Sequence, residues 1–153
     1  MIKIKGLVNR TIEYKNGDIK STEYSNAITL LGRYALAKSL TNQIQGGFSF
    51  YITKMLFGDG GTVGGVPRYV HIEQNGLFGT TVLSKPVVAS IDISMPQQAI
   101  FTSVIAFDEA VNQTLNEMAL QMANNQLFSM ATFADLNKTS DMQITYNWKI
   151  MFI

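Results

Sequence analysis

The last twelve residues of the chain, Met142 to Ile153, alternate apolar and polar side chains with almost no error. Met142, Ile144, Tyr146, Trp148, Ile150 and Phe152 share one face; Gln143, Thr145, Asn147 and Lys149 share the other. A period of two predicts a half-buried antiparallel strand. It carries the only tryptophan, which ties the segment into a sheet. Met151 and Ile153 put apolar groups on the polar face at the very end, where a partner chain is expected.

The same periodicity runs from Ile2 to Tyr14 with an interruption that predicts a bulge at Gly6-Leu7. Asn16-Gly17 suits a type I′ turn, closing a hairpin onto Ile19–Tyr24. The spacing then changes. Ala27, Ile28, Leu31, Tyr34, Ala35 and Leu36 recur at helical intervals behind a cap at Ser25-Asn26, which predicts an amphipathic helix near residues 26–41 covering a sheet. Gln45-Gly-Gly47 breaks it. Phe48 to Phe57, dense in aromatic and β-branched residues, reads as a central strand.

Residues 58–67 hold five of the twelve glycines and predict a loop, mobile or ordered by a partner. Residues 68–75 have no clear period, and Gly76-Leu-Phe-Gly79 turns the chain into a strand at Thr80–Ser84. Two β-rich runs, Pro86–Ser94 and Ala99–Phe107, predict a hairpin joined by Met95-Pro-Gln-Gln98. Shorter strands are expected at Leu115–Ala119 and Gln126–Phe133 around Ala123-Asn-Asn125, and Lys138-Thr-Ser-Asp141 turns into the final strand. Eight or nine strands and one helix, with a turn every 8–12 residues, indicate a mainly β fold: an antiparallel, jelly-roll-like β-sandwich forming a single domain over residues 1–153.

Composition changes the picture on function more than on fold. Charged residues are 15% of the chain against 46% hydrophobic, with twelve Lys or Arg facing eleven Asp or Glu. Soluble domains average about 25% charged, so the shortfall predicts neutral faces or faces covered by other subunits, and no strong attraction to nucleic acid. Lys3, Lys5, Arg10, Lys15 and Lys20 form the most basic stretch, but Glu13 and Asp18 dilute it; it reads as a solvated hairpin edge. No apolar run approaches the roughly 18 residues of a membrane span, and the N-terminus does not have the pattern of a secretion signal, so cytoplasmic synthesis and no membrane partner are expected.

Candidate chemistry is sparse. The chain has no cysteine and a single histidine, His71. A metal site would have to draw on Asp59, His71 and Glu73, with nothing in the spacing to fix their geometry, and no metal or cofactor is expected. The glycine loop is followed by Val66-Pro67 where a phosphate-binding loop needs Lys-Ser/Thr. For acid–base work Asp108, Glu109 and Glu117 are the candidates, but neighbours on a strand face opposite ways, so Asp108 and Glu109 would not converge. Five methionines, Met118, Met122, Met130, Met142 and Met151, fall in the last third, as core filler or an adaptable interface. No catalytic residue is assigned.

Several segments in order resemble small β-sandwich structural proteins of tailed-bacteriophage virions. They are Gly32-Arg-Tyr-Ala-Leu-Ala37, Phe57-Gly-Asp-Gly-Gly-Thr62, Asn116-Glu-Met-Ala-Leu120, Gln126-Leu-Phe-Ser-Met-Ala-Thr-Phe133, Lys138-Thr-Ser140 and Ile144-Thr-Tyr-Asn-Trp-Lys-Ile150. Such subunits often carry Arg after Leu-Phe-Ser; here Met130 stands instead, so no ion pair is assumed there. The resemblance implies a non-enzymatic subunit of tail, neck, baseplate, fibre attachment or capsid, located in the virion and partnered by copies of itself and other virion proteins. The expected contacts are Gly58, Asp59, Gly60, Gly61, Val63, Val66, Met151 and Ile153. The alternative is a carbohydrate- or receptor-binding sandwich with Tyr51, Tyr69 or Phe78 as stacking platforms.

Overall fold

The computed structural model describes residues 1–41 and 50–153. The period-two run at the C-terminus becomes β12 (Met142–Phe152), and its burial alternates as its sequence does, with Met142, Ile144, Tyr146, Trp148 and Ile150 inside. β12 pairs along its whole length with β1 (Ile4–Tyr14) on one side and from Ile144 to Met151 with β9 (Met95–Ile105) on the other. Adding β2 (Ile19–Ser25) and β8 (Val88–Asp92) gives a five-stranded sheet, β2-β1-β12-β9-β8, with β12 at its centre.

A second five-stranded sheet takes the order β3-β11-β10-β4-β7, from β3 (Ala27–Ile28), β11 (Leu127–Asn137), β10 (Thr114–Met122), β4 (Ile52–Gly58) and β7 (Thr81–Pro86). All pairs are antiparallel. The two sheets enclose one apolar cluster, led by Trp148, Tyr146, Phe57, Phe133, Ile105 and Met118. This is the sandwich the strand pattern predicts. β9 pairs with β12 in one layer and β10 with β11 in the other, so β9–β10 and β11–β12 are the two arms of one long hairpin rolled across both sheets. The ladder survives the fold-over: Asn112 N–H donates to Lys138 O at 2.8 Å and Lys138 N–H to Gln113 O at 2.9 Å. At both lateral edges the chain itself changes sheets, β2 into β3 through Asn26 and β7 into β8 through Val87.

Several expectations shift, each for a local reason. β1 has no bulge; its register with β12 is unbroken from Ile4↔Phe152 to Tyr14↔Met142. The apparent interruption comes from Gly6 and Arg10, which sit on the inward face without being apolar. A Cβ on Gly6 would lie 2.2 Å from Asn26 Oδ1, so glycine makes room for the residue that carries the chain between sheets. Arg10 is buried rather than on a solvated edge, its guanidinium 5.1 Å from the Tyr24 ring centroid and 5.3 Å from that of Phe133. It lies across the ladder from Tyr146, whose hydroxyl pKa burial pushes up, with Arg10 only partly opposing.

The first hairpin forms, but its turn is not type I′. Gly17 alone has positive φ (94°), Gly17 N–H donates to Tyr14 O, and Tyr14 N–H donates to Asp18 O. This is a three-residue loop ending in a glycine bulge. The helix α1 (Leu30–Leu40) starts later than Ser25-Asn26 because Ala27-Ile28 are taken into pairing with β11. Its cap is Thr29, whose Oγ1 accepts from Gly32 N–H at 3.0 Å and donates to Leu127 O at 2.8 Å, fixing the first turn to β11. A Cβ on Gly32 would fall 2.3 Å from Phe128 O, so the helix lies hard against that strand.

The β8–β9 turn is Ile93-Ser94, not Met95–Gln98, because Asp92 Oδ1 accepts from both the backbone N–H and the hydroxyl of Ser94 and closes the chain earlier. β10 and β11 run longer than predicted. The break at Gln45-Gly-Gly47 and the residues Phe48-Ser49 lie outside the described residues, and the strand expected from Phe48 begins at Ile52.

Candidate assembly surfaces and the carboxylate under the glycine loop

Gly58 closes β4 directly across from Glu117 of β10. Glu117 is completely buried, yet its side chain points to loop backbone rather than to the core. Oε1 accepts from Gly60 N–H at 3.0 Å and Gly79 N–H at 2.9 Å, and Oε2 accepts from Phe78 N–H at 2.7 Å. Beside it, Asn116 Oδ1 accepts from Gly61 N–H at 2.7 Å, and its Nδ2 lies within 3.1 Å of Asp59 O, Thr62 Oγ1 and Asp135 Oδ1. Asp59 Oδ1 takes Thr80 N–H at 3.0 Å. One carboxylate and one amide thus strap two loop segments, 58–62 and 77–80, onto the outer face of the second sheet.

This corrects the expectation of a loop that is mobile or ordered by a partner: its own chain orders it. The glycines serve close approach. A Cβ would fall 2.6 Å from Glu117 Oε1 at Gly58, 2.2 Å from Gly79 N at Gly60 and 2.2 Å from Asn116 O at Gly61. Gly58, Gly60 and Gly61 are therefore engaged within the fold, and Asp59, though exposed, is tied to Thr80. Only the tip projects: β5 (Thr62–Val63) and β6 (Val66–Pro67) form a hairpin whose Gly64 and Gly65 have φ of +57° and +79°, leaving Val63 and Val66 in solvent. Residues 70–78 continue over the sheet, where Val70, Leu77 and Phe78 cover Met130, Leu127, Leu56 and Ala119. Met130, where the resembling proteins often carry Arg, is thus an apolar contact.

The other chemical candidates are also accounted for locally. Asp108 and Glu109 lie in the β9–β10 turn, not on a strand. Glu109 takes both oxygens to Lys85 Nζ, at 2.8 and 2.9 Å, and accepts from Ala106 N–H at 3.0 Å. The Lys85 hydrogen bond, then that of Ala106, holds the Glu109 carboxyl below the ordinary glutamate range. A carboxyl with a lowered folded pKa stabilises the fold above its unfolded value, near 4.5, and that contribution is lost as pH falls through the folded value. Thr62 and Asn116 lower Asp135 in the same sense, as Ser94 lowers Asp92. Glu109→Gln is therefore expected to lower the melting temperature at pH 7 while shrinking its fall between pH 5 and pH 3; an acid limb as steep as wild type's would contradict the pairing.

Lys138 is fully buried at the corner of the long hairpin, donating to Phe107 O at 3.1 Å and Thr139 O at 2.9 Å; burial lowers its pKa. His71 and Glu73 stand exposed with Nδ1 and Oε2 4.0 Å apart. Asp59 does not join them, and among the described residues no three His, Asp or Glu side chains are placed to hold a metal ion. No described helix is long and apolar enough to cross a membrane.

The opposite end of the sandwich is different. There β4 begins, β11 begins and β12 ends, and between the layers opens an apolar recess of about 280 Å³ lined in part by Leu36, Phe50, Phe101, Phe128, Ile150 and Phe152. The C-terminus closes one side of it: Ile153 and Lys3 exchange backbone hydrogen bonds, and Met151 faces Gln98 across the ladder. On another side stands the β8–β9 hairpin, through Ala89 and Ala99. Exposed apolar side chains gather here, Ile91 at 63%, Ile93 at 95% and Ile153 at 61%. Met151 and Ile153 were expected contacts and lie at this end, whereas the root of the Val63/Val66 hairpin, at Thr62 and Asp135, lies at the other.

β8 was read only as half of a hairpin. The run from Pro86 to Ile91 is free of charge and has apolar residues at both odd and even positions. Of the aromatic platforms, Tyr51 lines the apolar recess, Phe78 lies under Arg68 with the guanidinium 5.0 Å from its ring centroid, and Tyr69 stands exposed beside a polar recess of about 350 Å³ shared with Asn26, Arg68 and Thr132. The three do not form one surface. No protein family, curated protein or solved structure matches the chain.

Proposed function

We propose that the chain is a non-enzymatic structural subunit that assembles with copies of itself and with other proteins of a tailed-bacteriophage virion. One observation carries the assembly reading: a single end of the sandwich collects an open apolar recess, the exposed Ile91, Ile93 and Met95 of the β8–β9 hairpin, and Phe152 and Ile153. Contiguous apolar surface of this kind marks an interaction site on a soluble protein. The groups that could do chemistry are meanwhile spent locally, Glu117 and Lys138 on backbone and Glu109 on Lys85 and backbone. The virion setting is drawn from the resembling segments, two of which, Phe57–Thr62 and Asn116–Leu120, meet at the Glu117 tether.

Electron microscopy of the purified chain at high concentration tests this. Rings, tubes or regular arrays are expected; a field of isolated particles of monomer size contradicts it. A second reading, binding of a glycan or receptor, draws on Tyr69 beside its polar recess. It predicts that Tyr69→Ala abolishes retention on a glycan array, and an array on which the wild-type chain binds nothing removes it.

A further inference from the structure

We infer that β8 is a self-pairing edge, joining two copies of the chain through antiparallel β8–β8 pairing about a two-fold axis. The inference rests on the reading of the chain as a self-associating subunit and names the joint. The two large sheets have four edge strands, and natural edges are blunted by charge, proline, shortness or cover. β2 carries Lys20 and Glu23, β3 is two residues long, and β7 carries Lys85 and ends in Pro86. Among the described residues β8 has none of these over Val88-Ala-Ser-Ile91: four uncharged residues, all exposed, with no proline and no register shift before Asp92. Val88 is 72% exposed on the outer face of the sheet and Ile91 63% exposed on the inner face, so a strand added here covers apolar surface on both sides at once.

The occupant follows from the strand itself. The open ladder groups of an edge are a template for another strand, and a two-fold related copy presents the same uncharged, apolar edge, complementary to itself. The one charge decides the direction. Parallel pairing in register would set the two Asp92 carboxylates side by side, which is unfavourable. Antiparallel pairing sends them to opposite ends of the joint and leaves its centre neutral. The product is a continuous ten-stranded sheet made of two β2-β1-β12-β9-β8 sheets, with each Ile93 turn reaching toward the neighbouring copy.

The chain has no cysteine, so single cysteines report the joint directly. Directly opposed residues of an antiparallel pair have Cα atoms about 4.5–5.5 Å apart, inside the range a disulfide spans. Val88→Cys, Ala89→Cys, Ser90→Cys and Ile91→Cys, made one at a time in the full chain and oxidised at micromolar concentration, should include one or two positions that form a disulfide-linked dimer at least tenfold faster than Val63→Cys. Ile91→Lys should raise the dissociation constant of the assembly at least tenfold with the melting temperature of the dissociated chain unchanged, because the side chain is in solvent in the single copy. If the wild-type chain associates yet no position from 88 to 91 cross-links faster than Val63→Cys and Ile91→Lys associates normally, the β8 joint is wrong and the subunit reading stands. A wild-type chain that does not associate at all overturns both.

Discussion

A chain ending at Asp141 is expected not to fold. β12 is hydrogen-bonded to a strand on each side, so its removal splits the sheet at its middle into two separate pairs, β2-β1 and β9-β8. It also withdraws Met142, Ile144, Tyr146, Trp148 and Ile150 from the core. At about 1.5–3 kcal/mol for each large apolar side chain, the loss is on the order of 10 kcal/mol, comparable to the whole stability of an ordinary domain, about 5–15 kcal/mol. Trp148→Ala alone should cost about 3–5 kcal/mol. Circular dichroism and a urea titration of the truncated chain check this. A cooperative unfolding transition would mean that the two sheets close without their central strand.

Glu117→Ala carries the second large effect. The substitution leaves the N–H groups of Gly60, Phe78 and Gly79 without their acceptor under a covering loop. An unsatisfied buried donor costs about 1–3 kcal/mol; these three are only partly buried, so each counts near the low end and a total of roughly 3 kcal/mol is expected. Glu117→Gln should cost about half as much, since one oxygen remains to accept while the amide nitrogen meets a donor. Hydrogen exchange separates tether from core: Gly60, Gly61, Phe78 and Gly79 should lose protection first, with Ile144 and Trp148 following only on global unfolding. A destabilisation below about 0.5 kcal/mol, the size of an ordinary surface substitution, would show that the loop holds itself in place without the carboxylate.

The strands with one inward face were legible in the sequence because a pleated strand prints its burial as alternation; β12 is the plainest case. What was not legible came from contacts distant in the chain. The bulge read at Gly6-Leu7 was wrong, because what turns Gly6 and Arg10 inward, Asn26 and the rings of Tyr24 and Phe133, comes from elsewhere in the chain. The helix start was misplaced for a similar reason: Ala27 and Ile28 fit a helical period equally well, and only β11, about a hundred residues later, draws them into a sheet. The glycine loop was recognised as a loop but misread as a free one. Nothing local to Gly58–Gly61 announces Glu117, and the clue that was available, a carboxylate leading an apolar run in Asn116-Glu-Met-Ala-Leu120, is an acid on a buried strand that must find donors.

The candidate site divides in the same way. Met151 and Ile153 were flagged because they break an otherwise regular alternation; the residues of that strand end that line the apolar recess are their neighbours Ile150 and Phe152. Val63 and Val66 were flagged with the glycines, and they alone of that group stand free at a hairpin tip. The edge status of β8 could not be read, since a strand's position in a sheet depends on which partners the rest of the chain provides.

The central claim, that the chain is built to join copies of itself, is tested most directly by its mass in solution. Sedimentation equilibrium over a hundredfold range of concentration should give a mass that rises from near that of one chain, 17.0 kDa, toward whole multiples of it. A mass that stays at 17.0 kDa throughout would contradict the account.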